Sequence, residues 1–121
     1  MENSIIINNL VKSFKDTMAV NDISLKIKKG ELFSLLGVNG AGKTTTIKVL
    51  TGVLIPDSGN AILDGYSIND TLEKVKEIIN VSPQETAIAP NLSTIENLYF
   101  IAGVYQIKNK KVVVNKLLKD F

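Results

Sequence analysis

One stretch, GVNGAGKTT from Gly37 to Thr45, limits what this chain can fold into more than any other. It fits the pattern G-x-x-x-x-G-K-[ST], with Gly37, Gly42, Lys43 and Thr44 in register. Glycines at Gly37, Gly40 and Gly42 allow backbone conformations that a side chain forbids, so successive N–H groups can point inward at phosphate oxygens. Val38, Asn39 and Ala41 fill the positions between them and contribute their amides. Lys43 supplies a point charge for the outer phosphates, and the Thr44 hydroxyl is placed to ligate Mg²⁺. A helix that starts here, with Thr45 in its first turn, adds the positive end of its dipole.

Such a loop needs a strand before it and a helix after it, and the flanks supply both signals. Glu31-Leu32-Phe33-Ser34-Leu35-Leu36 is a short apolar run that reads as a buried strand entering the loop. After the loop, apolar residues at Ile47, Leu50 and Leu54 continue at helical spacing, and Gly52 sits where a helix would stop.

Composition narrows the chemistry. The chain has 121 residues, of which 45% are hydrophobic and 21% charged, in the range of one globular domain. Its net charge of +2 carries no signature of a nucleic-acid partner. Every basic residue is Lys, and Arg, His and Cys are absent. Without Cys there is no disulfide or thiolate metal site, and the expectation is an intracellular protein. Without His the commonest general base is missing, and without Arg so is a guanidinium clamp for a moving phosphoryl group. No signal peptide is apparent, and the apolar stretch from Leu98 to Val104 is too short to span a bilayer.

In chain order, Ser4 to Val11 with Ile5-Ile6-Ile7 reads as a strand. Ile23, Leu25 and Ile27 alternate with polar residues, which predicts a second strand with one wet face. Lys28-Lys29-Gly30-Glu31 reads as a solvated tight connection. Ile55-Pro56-Asp57-Ser58-Gly59 is a turn, followed by a strand around Ala61-Ile62-Leu63. Leu72, Val75, Ile78 and Ile79 predict a helix, and Val81 is placed at the end of a strand before a loop through Pro90. Ser93-Thr94-Ile95-Glu96 fits a capping box opening a helix with Leu98, Ile101, Ala102 and Tyr105, and a further helix covers Lys110 to Lys119.

These segments, taken together, resemble the N-terminal half of an ABC transporter ATP-binding domain over essentially all of residues 1 to 121. The resemblance is carried by LVKSF at 10–14, AVNDISL at 19–25, the loop GVNGAGKTTT, PDSGNAILDG and VSPQE. It implies an α/β fold of the P-loop NTPase type, with parallel strands flanked by helices and an antiparallel portion at residues 4 to 28, the domain being incomplete. It implies ATP and Mg²⁺ as ligands. Gly37 to Thr45 would hold the nucleotide, and Phe14, at the family's adenine-stacking position, would lie against the base. Gln84 matches the family's Q-loop glutamine, so Thr44 and Gln84 would approach the metal and the attacking water. The SPQETAIAPNLSTIENL stretch is most similar to the branch serving export-type membrane partners. A transmembrane permease subunit contacted through the Q-loop region is the implied partner, in a cytoplasmic location on the inner face of the membrane. No nucleic-acid partner is expected.

The family's later parts have no counterpart in this chain: an LSGGQ-like signature, four apolar residues followed by Asp-Glu, and a switch His. The nearest apolar run ending in an acid, Ala61-Ile62-Leu63-Asp64, precedes Gln84 and continues into Gly65. The chain therefore reads as truncated, unable to complete the composite site that two intact domains share, and incompetent in hydrolysis by itself. Two other readings stay open: a non-catalytic ATP-binding or dimerisation module, and another P-loop enzyme. Against the latter, Asn115-Lys116-Leu117-Leu118 lacks the Asp of a guanine motif, and there is no Arg for a kinase clamp.

Overall fold

The computed structural model describes residues 2–36, 42–82 and 88–121. Two compact units divide the chain, residues 1–80 and 81–121.

The first unit is built on a four-stranded sheet in the order β2-β1-β3-β4, with every pairing antiparallel. Strand β1 (Asn3–Phe14) and β2 (Thr17–Lys28) form a hairpin closed by Lys15 and Asp16, with Phe14 opposite Thr17. Strand β3 (Ser58–Leu63) returns to the other side of β1, pairing Ile5 with Leu63 and Val11 with Ser58. The short β4 (Tyr66–Ser67) follows through Asp64-Gly65, both at positive φ as the twist of a two-residue hairpin requires.

Helices α1 (Lys43–Leu50) and α2 (Leu72–Ile78) contribute to the core of this unit. Val49 and Leu50 of α1 and Val75 of α2 join Ile7, Leu10, Val20, Ala61, Leu63 and Ile68 in one buried cluster. The inward stripe of α1 is Thr46, Val49 and Leu50, spaced i, i+3, i+4, whereas Ile47 faces solvent. The expected alternation in β2 is present: Ile23, Leu25 and Ile27 are half-buried between exposed neighbours.

β1 is irregular where it serves two partners. Its register slips between Ile7 and Leu10 towards β2 and between Asn8 and Val11 towards β3. Asn9 sits at φ 48 in this bulge, its amide donating to Ser24 Oγ at 2.8 Å and its Nδ2 to Asp22 Oδ1 at 2.9 Å. The slip turns Leu10 fully into the core. It also brings the Asn8 and Asn9 carbonyls against Gly59, where a Cβ would collide with both. Lys29, just beyond β2, ties Glu2 at 3.0 Å and Asp64 at 3.2 Å. These two carboxylates raise its pKa.

Two expected strands are absent among the described residues. Residues 31–36 have no ladder partner and take irregular backbone, with Leu32 98% and Leu36 88% exposed. An apolar run becomes a buried parallel strand only beside a parallel neighbour, and every pairing of the four-stranded sheet is antiparallel. Val81 likewise lies in irregular backbone after α2. The antiparallel portion is thus larger than residues 4 to 28, since β3 and β4 belong to it.

The second unit is a pair of helices, α3 (Thr94–Val104) and α4 (Lys110–Asp120). The capping box is formed: Glu96 N donates to Ser93 Oγ at 3.2 Å and Ser93 N donates to Glu96 Oε1 at 3.0 Å. The Ser93 amide and hydroxyl hold the Glu96 carboxyl below the usual carboxylate range. Asn97 fastens the preceding segment, its Nδ2 reaching the carbonyls of Ala89, Leu92 and Ser93 and its Oδ1 accepting from Ala89 N at 2.9 Å.

α3 ends in a Schellman-type turn: Gln106 N bonds Gly103 O at 3.1 Å and Ile107 N bonds Ala102 O at 2.9 Å. Gln106 must take φ 53 there, a left-handed conformation that costs a side-chain-bearing residue about 1 kcal/mol. Gln106→Gly should remove that cost, partly offset by a looser unfolded chain, and stabilise α3 by about 0.5 kcal/mol. Amide exchange at Ile107 should slow in the variant; unchanged or faster exchange would contradict this account of the turn.

Candidate functional site

The start of α1 is the natural centre of a site. Gly42 is its N-cap residue, at φ 85 and ψ 3, and has no side chain of its own to cap the helix. No acidic residue stands in the first turn to repel an anion. Gly42 is also a packing requirement: a Cβ there would run into the Ala19 carbonyl oxygen of β2. The glycine therefore lets the helix start lie directly on the β1–β2 hairpin.

The three consecutive threonines after Lys43 have different roles. Thr46 is 2% exposed, and its hydroxyl donates to the Gly42 carbonyl at 2.8 Å, closing the first turn from inside. Thr45 is half-buried. Thr44 is exposed at the helix start. Lys43, the first helical residue, is half-buried. An oxyanion with a hydrated divalent cation fits this donor set: amides and an ammonium for the anion, a hydroxyl for the metal.

Phe14 lies at the end of β1, where the hairpin turns. It is 44% exposed, so it is not a core residue, and the Lys12 ammonium stands 5.4 Å from its ring centroid. Ala19, the residue that Gly42 touches, lies between Met18 and Val20, whose rungs pair with Ser13 and Lys12. The structure therefore brings the start of α1 and the Phe14 end of the hairpin to the same part of the sheet.

Gly37, Val38, Asn39, Gly40, Ala41 and Gln84 lie outside the described residues. Among the described residues no three acidic side chains gather as a metal cluster, and no helix is long and apolar enough to cross a membrane. A 230 Å³ recess between Val49, Leu54, Pro56 and Leu72 lies at the opposite end of α1 and is largely apolar. Asp57 falls in the Ile55–Gly59 turn and in the PDSGNAILDG segment, and neither marks it as a site residue. It binds the stretch leading to Phe14, and its one visible signal was the Pro-Asp-Ser-Gly segment itself.

Comparison with known proteins now adds to this geometry. The protein family described as ABC transporter matches residues 20–121. The linearmycin resistance ATP-binding protein LnrL of Bacillus subtilis is 44% identical over 97 residues, covering 80% of this chain and 31% of LnrL. The human phospholipid-transporting ATPase ABCA3 is 39% identical over 97 residues, covering 80% of this chain but 6% of that protein. Among solved structures, an ATP-binding subunit of an ABC transporter aligns with a TM-score of 0.76 at 27% identity, covering 87% of this chain and 44% of that one. The bacterial ABC transporter cassette MJ0796, solved as a dimer, aligns with a TM-score of 0.72 at 26% identity, covering 84% and 47%. The chain thus spans less than a third of these curated relatives and less than half of these solved neighbours. With its partial α/β fold and its helix-start loop, the chain belongs to the ABC transporter family, in the ATP-binding part that these relatives share.

Proposed function

We propose that this chain is the nucleotide-binding portion of an ABC transporter's energy-coupling subunit and that it binds Mg-ATP through the start of α1. The observation that carries this reading is the start of α1, with Gly42 at φ 85, Lys43 first in the helix and Thr44 exposed beside it. The α1 amides and Lys43 would hold the β- and γ-phosphates, Thr44 would ligate Mg²⁺, and Phe14 would stack on the base. Bound Mg²⁺ would neutralise developing charge between the outer phosphates. Gly37 to Ala41 would contribute further amides, and Gln84 would sit between the metal and a membrane partner. That partner is a permease subunit, which places the protein at the cytoplasmic face of the membrane, and a second nucleotide-binding domain would complete the working assembly.

Lys43→Ala tests the reading better than Gly42→Ala, because a Cβ at Gly42 disturbs the fold without any nucleotide present. Charge-assisted contacts contribute roughly 1.5–3 kcal/mol each, so Lys43→Ala should weaken Mg-ATP binding by about tenfold or more. Calorimetric titration of ATP with and without Mg²⁺ checks both parts. Equal affinity in wild type and variant would refute the assignment.

Turnover by the 121-residue chain alone should be far below that of a working ATPase. Lys43, Thr44 and the amides can stabilise charge, but the sequence holds no His and no apolar run followed by Asp-Glu to polarise a water. Missing general-base catalysis costs about 10²–10⁴-fold. Phosphate release should stay at background, and turnover of about one per second that disappears in Lys43→Ala would reveal a catalytic group elsewhere in the chain.

A further inference from the structure

Asp57 is exposed, lies one residue before β3, and is bonded more heavily than any other surface carboxylate among the described residues of this unit. Its amide donates to the Val11 carbonyl at 2.8 Å. Its Oδ2 accepts from Ser13 N at 2.7 Å and from Ser13 Oγ at 3.0 Å, and its Oδ1 stands 3.4 Å from Lys12 Nζ. The Ser13 amide, then its hydroxyl, then Lys12 hold this carboxyl below the usual carboxylate range.

The geometry is that of a ladder continued by a side chain. The β1–β3 pairing ends at Val11 opposite Ser58, so the next inward-facing amide of β1 on that side, Ser13 N, has no backbone acceptor on β3. The Asp57 carboxylate supplies one. By the same contact it draws in Lys12, whose side chain is only 17% exposed and whose ammonium lies over the Phe14 ring. One face of that ring is thus covered by a cation that Asp57 holds, while Ser13 is fixed directly before Phe14.

We propose that Asp57 is a positioning residue for the base end of the nucleotide site. Through Ser13 it fixes the backbone that carries Phe14, and through Lys12 it occupies one face of the ring, leaving the other face to the purine. The inference rests on the base-stacking reading of Phe14 proposed above.

The test separates base from phosphate. Affinities for Mg-ATP and for Mg-tripolyphosphate, which has no base, are measured by calorimetry for wild type, Phe14→Ala, Asp57→Ala, Asp57→Asn and the Phe14→Ala/Asp57→Ala pair. Asp57→Ala should weaken ATP about three- to tenfold and leave tripolyphosphate unchanged, with Phe14→Ala doing the same more strongly. The double variant should bind ATP no more weakly than Phe14→Ala, since Asp57 acts only through that ring. Asp57→Asn keeps one acceptor for Ser13 N but loses the attraction for Lys12, so it should fall between, and it carries the test if Asp57→Ala does not fold. Equal losses for both ligands, no loss for ATP, or full additivity with Phe14→Ala would each overturn the proposal. If Phe14→Ala itself leaves ATP binding unchanged, the base-stacking reading fails and takes this inference with it. An Asp57 failure beside an intact Phe14 effect removes the inference alone.

Discussion

Strand β1 has to satisfy two neighbours at once, and the rest of the first unit is arranged around how it does so. A regular strand would keep one register to β2 and one to β3, but β1 slips against both near Asn8 to Leu10. The slip stores a left-handed residue at Asn9 and holds it with Ser24 and Asp22. In return Leu10 enters the core fully, and the strand beyond is re-aimed. Gly59 is the only residue type that fits beneath the displaced Asn8 and Asn9 carbonyls. The position of Phe14 therefore depends on the bulge at Asn9, five residues earlier, and on a glycine from a different strand.

A similar dependence joins the helix to the sheet. Gly42 is needed at the start of α1 for its backbone conformation and for its closeness to the Ala19 carbonyl. The proposed phosphate chemistry and the tertiary packing thus ask for the same residue. Thr46 fills the first turn from inside, whereas Thr44 is exposed. The chemical difference between these two threonines is set by helical angle alone.

Much of this was legible in the sequence, in unequal parts. Local signals read well because local physics decides them: the period of two in β2, the Ser93–Glu96 capping box and the helix from Leu72 all appear where expected. The Asp64-Gly65 turn carried a hairpin signal as clear as any, yet β4 is only two residues long and offers no alternation to read. The run from Glu31 to Leu36 shows the opposite failure. Its apolarity was visible, but whether such a run is a strand depends on a neighbour far away in sequence, and its leucines face solvent here. Within the candidate site, the motif points to Lys43 and Thr44, whereas the Asp57–Ser13 contact spans 44 positions of sequence that no pattern covers.

The connection between β1 and β3 also bears on how the unit assembles. The β1–β2 hairpin closes over two residues and can form within microseconds. β3 can join only after a much longer loop is closed, and that loop contains α1. Once α1 has formed and Gly42 has seated on Ala19, the span still to be closed is far shorter. The helix that begins the candidate phosphate site is then also the guide by which the third strand finds its place. Substitutions in its first turn should therefore be felt in the rate of folding as well as in ligand affinity.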